Sequence, residues 1–526
     1  MVDKRATGGM LLAFLAAWIT GTLLGSVVQT QINLLALQTM GVVISTGARL
    51  VATSHDLFHF APLYAVLFGI GFVMSQLVAA LTLRHTSGQF RRFLFSVAAA
   101  VGLWAALEVA NAVAPMPTLI AATRTPLGLS AMLATAAIAG WLFALLSTPR
   151  SSANSGYSSV PVWLSVLVLG GALAPDPAKA APGASYTIET VASGLEHPWS
   201  LAFLPDGSAL VTERAGRLRR ISVGGQLLDA PVSGVPPVYS NSQAGLFEVL
   251  PSPDFAGNQQ LYLSYACGTE SANHLCVAKG RLNGQRLEDI AEIFRSTPAK
   301  YGSAHYGGRM AWLPDGTLVV TLGDGFDFRE EAQNLSSHLG KVVRLNPDGT
   351  APVDNPFIGR EGVLPEIYSY GHRNVQGLFY DAVEARLIAH EHGPRGGDEI
   401  NLLEPGKNYG WPVITYGIDY TGAMVTPHTD YKGMEQPLLH WTPSIAPSGM
   451  TRYRGSLFPA WQGSLLVGAL ADRSVHRVEL SGRQAKDVEV LFEDLGERIR
   501  DVVTGPEGAL YLLTDSPSGR LLRVVP

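Results

Sequence analysis

Leu201-Ala202-Phe203-Leu204-Pro205-Asp206-Gly207 runs into Ala209-Leu210-Val211-Thr212, and the phrase comes back twice. Met310-Ala311-Trp312-Leu313-Pro314-Asp315-Gly316 leads to Leu318-Val319-Val320-Thr321, and Val503-Thr504-Gly505-Pro506-Glu507-Gly508 leads to Leu510-Tyr511-Leu512-Leu513. In each, an apolar run meets a proline–acid–glycine turn and a second apolar run follows. Proline fixes one φ and glycine accepts a positive one, so the local reading is strand, tight turn, strand. Weaker copies begin near Phe247, Leu378 and Ser464. Six copies over about 345 residues leave roughly 57 per unit, enough for a four-stranded blade with long loops. The section from 185 onward, short Val/Leu/Tyr runs cut by Gly, Pro and Asp, is therefore predicted to be an all-β six-bladed propeller. A sandwich or paired barrels would leave the recurrence unexplained.

The chain ahead of this section is of another kind. Of 526 residues, 38 are Lys or Arg and 43 are Asp or Glu, but residues 1–150 hold only eight of the basic and three of the acidic ones. The net charge of −5 thus divides into +5 before residue 151 and −10 after it. A single soluble domain is excluded, and the acidic second part argues against nucleic acid as a partner. Four stretches, Gly9–Val28, Ala61–Leu83, Phe93–Ala114 and Leu127–Ser147, are long and apolar enough to cross a bilayer as helices. The division expected is a helical membrane domain over 1–150, a linker over 151–181 and the propeller over 182–526.

Positive charge sets the orientation. Lys4, Arg5, Arg84, Arg91, Arg92 and Arg150 fall on one side of the spans, and only Arg49 and Arg124 on the other. The N-terminus is expected to be cytoplasmic. Val160–Ala174 is either a fifth crossing, which keeps the propeller tethered, or the core of a signal-like segment cleaved near Ala178-Lys179-Ala180. Both readings export the propeller, and tethering is the preferred one: an inner (cytoplasmic) membrane protein whose propeller faces the periplasm. Cys267 and Cys276, an exported pair at hairpin distance, are candidates for a disulfide, with two buried free thiols as the alternative. Glu108, costly in lipid, is expected to face other helices.

Three polar stretches carry the candidate chemistry. Ser303-Ala304-His305-Tyr306-Gly307-Gly308-Arg309 precedes the Met310 repeat, whose second strand ends in Gly323-Asp324-Gly325. Tyr370-Gly371-His372-Arg373-Asn374-Val375-Gln376-Gly377 is the second. His392-Gly393-Pro394-Arg395-Gly396-Gly397-Asp398-Glu399, followed by Lys407-Asn408-Tyr409-Gly410-Trp411-Pro412, is the third. Loops entering the blades gather at one end of a propeller, so these stretches can share a pocket. His305 could take a proton near neutral pH, and Asp324 could orient its ring. Arg373 offers a rigid fork of donors. Carbonyls at Gly393-Pro394 and the carboxylate of Glu399 are hard oxygen donors suited to Ca²⁺. Trp312, Trp411 and Trp461 read as blade core or turn residues. His55 and His59 stand one helical turn apart, a spacing open to ligand binding, although solvated histidines at a membrane interface are the preferred reading.

Taken together, the phrases resemble the glucose/sorbosone dehydrogenase family, the soluble-type aldose dehydrogenases that use pyrroloquinoline quinone (PQQ) and calcium. The matching phrases are Gly371-His372-Arg373-Asn374 with Gln376-Gly377, Gly393-Pro394 leading to Asp398-Glu399-Ile400-Asn401, Asn408-Tyr409-Gly410-Trp411-Pro412 and Ile445-Ala446-Pro447-Ser448. The resemblance covers about 186–525 and none of the first 180 residues. It implies oxidation of aldoses or sugar aldehydes, with His305 as the base that removes the anomeric hydroxyl proton while hydride passes to PQQ. Electrons would then pass to a quinone or cytochrome. It implies that Gln243, Arg373, Asn374, Arg498 and Arg500 contact PQQ, the arginine pair through its carboxylates. Gly393 and Pro394 would lend carbonyls to the calcium on PQQ, and Glu399 and Tyr409 would serve a second calcium. Two positions depart from the pattern. Ala471 stands where a PQQ-contacting lysine is expected, which leaves Arg473 as a substitute, and Ala304 stands where sugar enzymes carry an acid. A calcium-dependent lactonase-like hydrolase and a non-catalytic binding propeller remain alternatives.

Overall fold

The computed structural model describes residues 4–82, 88–114, 118–147 and 185–526. The fifth segment, 160–174, and its Ala178–Ala180 site lie outside the described residues.

Six sheets make the second part of the chain, and the innermost strands of neighbouring sheets touch in cyclic order to close a ring. In the blade that opens with Gly307–Trp312, the next strands outward are Leu318–Leu322, Lys341–Leu345 and Ile367–Tyr370. The recurring phrase is the inner hairpin. In this copy Leu313 N donates to Thr317 O at 2.9 Å, Asp315 Oδ1 accepts from Thr317 N at 2.9 Å, and Gly316 sits at φ +78°. The same turn recurs at Leu204–Ser208, with Gly207 at φ +82°. The blade built on Pro198–Phe203 has three strands where four were expected; the chain beyond Ile221 adds only isolated bridges, Ile221 to Leu227 and Leu218 to Val232. In the last blade the outer strand is Thr187–Leu195, paired antiparallel with Gly519–Val525, so the two ends of the propeller section are zipped together. Cys267 and Cys276 are joined in a disulfide across the hairpin of Gln260–Thr269 and Ala272–Asn283.

The first part is helical: α1 (Lys4–Thr39), α2 (Thr46–His59), α3 (Ala61–Thr82), α4 (Gly88–Val113) and α5 (Pro126–Leu146). Four of these helices, all but α2, hold segments long and apolar enough to cross a membrane. They pack as a bundle, α1 on α3 and α5, and α4 on α3 and α5. Gly71 and Gly102 let α3 and α4 touch backbone to backbone; a Cβ at Gly71 would lie 2.4 Å from the Gly102 carbonyl oxygen. Glu108 does not face other helices: it is exposed near the end of α4, where a charge can reach the polar boundary of a bilayer.

The turns at one end of the bundle meet the propeller. Asp56 of α2 is fully buried; it accepts from Thr30 Oγ1 of α1 and from Met424 N of the propeller, each at 2.7 Å. Arg329 donates to Asn33 Oδ1 at 3.0 Å. Leu34, Leu37, Val42 and Ala52 pack with Val413 and Ile414. His55, read above as solvated, instead has Nε2 3.2 Å from the Gly422 carbonyl and its ring stacked on His59.

Candidate active site

In an antiparallel blade, the start of the inner strand and the end of the second strand lie at the same end. That rule gathers the candidate residues. His305, Arg373 and Asn374 precede inner strands, whereas Asp324, Gly393 and Pro394 follow second strands. His305 is a non-glycine residue at φ +51°, and the second strand returns so close to it that a Cβ at Gly323 would lie 2.4 Å from the His305 carbonyl oxygen. That approach delivers Asp324, whose Oδ1 is 2.6 Å from His305 Nδ1. Trp411 Nε1 donates to the other oxygen of Asp324 at 2.7 Å, and Phe326 N donates to Oδ1 at 2.8 Å.

Both members of the pair are buried. Burial raises the pKa of Asp324, but His305 and Arg373 outweigh it and hold the carboxyl below its ordinary value. An ionised carboxylate only accepts, so the ring proton sits on Nδ1 and Nε2 is left as a base. Burial and the Arg373 charge lower the pKa of His305, against the upward pull of Asp324. The imidazole is therefore neutral at neutral pH.

Two spaces open beside this pair. A narrow cleft holds His305, Arg373, Pro394 and Trp411. On the propeller axis lies a cavity of about 200 Å³, lined by Gln243, Asn374, Gln376, Arg214, Arg498 and Arg500, among others. Gln243 ties the two together, its Oε1 accepting from His305 N at 3.0 Å. Arg498 and Arg500 share Asp515 at 3.1 and 2.9 Å. Arg214 also lines the cavity, and its guanidinium makes no hydrogen bond among the described residues. Three guanidiniums against one carboxylate suit a flat polyanion. A hydrolase of the lactonase type calls instead for several carboxylates around a central ion.

Arg473 is not part of this cavity. It sits at φ +57° in the turn before Val475–Ser481, exposed, with Nη1 3.4 Å from the Gly496 carbonyl. Ala471 is exposed too, and its neighbour Leu470 lines the cavity.

The Gly393 carbonyl accepts from Arg373 Nη1 at 2.7 Å. Deeper in the same blade, Glu391 and Glu399 are cross-strand partners, and Asn401 Nδ2 donates to both, at 3.1 and 3.3 Å. Asn401 Oδ1 is buried with no partner. Burial and the neighbouring Glu391 push the Glu399 carboxyl well above its ordinary pKa. Buried Glu391, half-buried Glu399 and the orphaned amide oxygen form a donor set that fits a hard divalent cation. Tyr409 spends its hydroxyl on Leu402 O at 2.6 Å and on Glu404 N, so its backbone carbonyl is the donor it has left.

Trp411, Arg214 and Glu391 are site residues that the sequence motifs do not identify. Trp411, read there as core or turn, lines the cleft and holds Asp324, and Arg373 lies 5.3 Å over its ring. Arg214 stands in no motif; the only signal was its place in a hairpin turn after a repeat.

The glucose/sorbosone dehydrogenase family model matches residues 195–523. Over 353 residues the chain is 43% identical to aldose sugar dehydrogenase YliI of Escherichia coli, spanning 66% of this chain and 94% of that one. It is 27% identical over 459 residues to quinoprotein glucose dehydrogenase B of Acinetobacter calcoaceticus, spanning 71% and 92%. The structure of the PQQ-bound form of an aldose sugar dehydrogenase from Streptomyces coelicolor superposes with a TM-score of 0.53 and 30% identity, over 65% of this chain and all of that one.

Proposed function

The chain belongs to the glucose/sorbosone dehydrogenase family, and on that premise we propose that it is a PQQ- and calcium-dependent aldose sugar dehydrogenase carried on its own membrane domain. The observation that carries this reading is the buried Asp324–His305 pair set beside a cavity lined by three arginines.

In this reading His305 Nε2 takes the proton from the anomeric hydroxyl of the sugar. Asp324 keeps Nδ1 protonated and steadies the imidazolium that results, and Trp411 fixes Asp324 in turn. Arg498, Arg500 and Arg214 hold the cofactor carboxylates, while Gln243 and Asn374 set its position. Arg373, at the boundary of cleft and metal site, would contact the cofactor near its reactive edge. When bound, PQQ supplies the two-electron acceptor for hydride and Ca²⁺ polarises it as a Lewis acid. Gly393 and Pro394 carbonyls would serve that ion, and Glu399 with Tyr409 a second one.

The four apolar helices would cross the inner membrane with the N-terminus in the cytoplasm. The propeller docks on the turns that follow α1 and α4, the side opposite the N-terminus, and the disulfide suits an oxidising compartment such as the periplasm. A membrane quinone or a cytochrome would receive the electrons. The test is dye reduction by the full-length protein in detergent, with PQQ, Ca²⁺ and a panel of aldoses. Turnover that needs both cofactors and is lost in His305→Ala is expected; turnover without PQQ would refute the assignment.

A further inference from the structure

The propeller alone does not build the cleft in front of His305. Phe326, Arg373 and Trp411 form its inner side, but Thr118, Ala121 and Arg124 form part of its outer side, and these belong to the turn between α4 and α5 of the helical domain. The turn is fastened in place. Thr118 Oγ1 donates to Asp327 Oδ2 at 2.9 Å. Arg124 donates through Nη2 to Glu330 Oε1 at 2.9 Å, through Nη1 to the Asp327 carbonyl at 3.2 Å and through Nε to the Ala121 carbonyl at 3.0 Å. Its guanidinium is thus spent on holding the turn. On the other flank Tyr420 closes the cleft from the loop that Asp56 anchors at Met424. The free space left is about 30 Å³, whereas small-molecule sites run to several hundred.

We infer that residues 118–124 of the helical domain are the outer wall of the substrate site and limit the substrate to a single sugar ring. The inference rests on His305 as the base. Oxidation at C1 engages only the reducing-end ring, so any further rings of an oligosaccharide must point away from His305, into the volume held by Thr118, Ala121 and Arg124. A single ring already has to displace that wall, and a chain of rings would need its removal. Thr118 and Ala121 are then specificity-determining residues and Arg124 a positioning residue.

Two measurements on the full-length protein in detergent test this. In the first, with PQQ and Ca²⁺ loaded, kcat/KM for glucose is expected to exceed that for maltotriose by at least about 100-fold. Arg124→Ala should shrink that ratio at least about tenfold by raising the maltotriose value relative to the glucose value. Equal use of both sugars by the unaltered protein would overturn the inference. The second needs no turnover. In Phe326→Cys the native cysteines are tied in their disulfide, so the cleft thiol is the single target for a maleimide. N-ethylmaleimide should react at least about tenfold faster than a maleimide bearing a chain of trisaccharide size, and adding Arg124→Ala should abolish the difference. Equal rates with Arg124 in place would overturn the inference. If neither sugar is oxidised, the dehydrogenase reading falls while the labelling still decides the wall.

Discussion

His305 is held neutral by burial and by Arg373, and pulled back toward protonation by Asp324. Its pKa lies below the ordinary 6.5, so kcat should be flat through neutral pH and fall only at lower pH. Asp324→Asn removes the upward pull, so the acid limb should move to lower pH while kcat drops about 100-fold or more. A kcat–pH profile checks this, and a limb displaced upward would contradict it. The anion cavity gives a second case. Ala471→Lys restores a cation next to Leu470 and should tighten PQQ binding about tenfold, roughly 1.4 kcal/mol, by fluorescence titration. Arg473→Ala, at an exposed turn, should leave that affinity unchanged. The His305–Asp324 pair was readable because each stands in a loop flanking a repeat. Spacing along the sequence does not report the positive φ that turns the Arg473 side chain away from the cavity, nor the bond of Trp411 to Asp324, a partner remote in sequence.

The inner hairpins were readable because a proline–acid–glycine turn is local chemistry, and the missing fourth strand after Ile221 was not, because strand pairing is settled by neighbours. The blade that opens with Pro447–Arg452 carries a polar pairing of its own. His476 Nδ1 lies 2.6 Å from Asp487 and Nε2 2.9 Å from Asp472. Burial lowers its pKa, but the two carboxylates win and raise it to about 9. Because the folded pKa exceeds the unfolded 6.5, the stabilisation is complete below about pH 6.5 and is lost as pH rises through about 9. His476→Gln should therefore cost about 1–3 kcal/mol at pH 6, with the gap to the unaltered protein closing above pH 9. Hydrogen exchange of the Val475–Ser481 amides measures it. In the neighbouring blade, saturating Ca²⁺ at 100 times its Kd should add about 2.7 kcal/mol. Chelation should lower Tm, and Glu399→Gln should blunt that response.

Docking of the helical domain on the propeller could not be read from the sequence, since Thr118 meets Asp327 and Asp56 meets Met424 across hundreds of residues. Asp56→Ala removes an acceptor that joins α1, α2 and the propeller loop. Protection of the 419–426 amides should then fall at least about tenfold, with exchange in the inner strands unaltered; unchanged protection would place the anchor elsewhere. One pairing also fixes an order of events. The strand Thr187–Leu195 finds its partner only in Gly519–Val525, at the far end of the chain. During synthesis this strand must wait as an unpaired edge until Gly519–Val525 has been made. The helices α1–α5 precede both strands in the chain and are made before the ring can close, so the propeller is finished against its helical partner rather than brought to it.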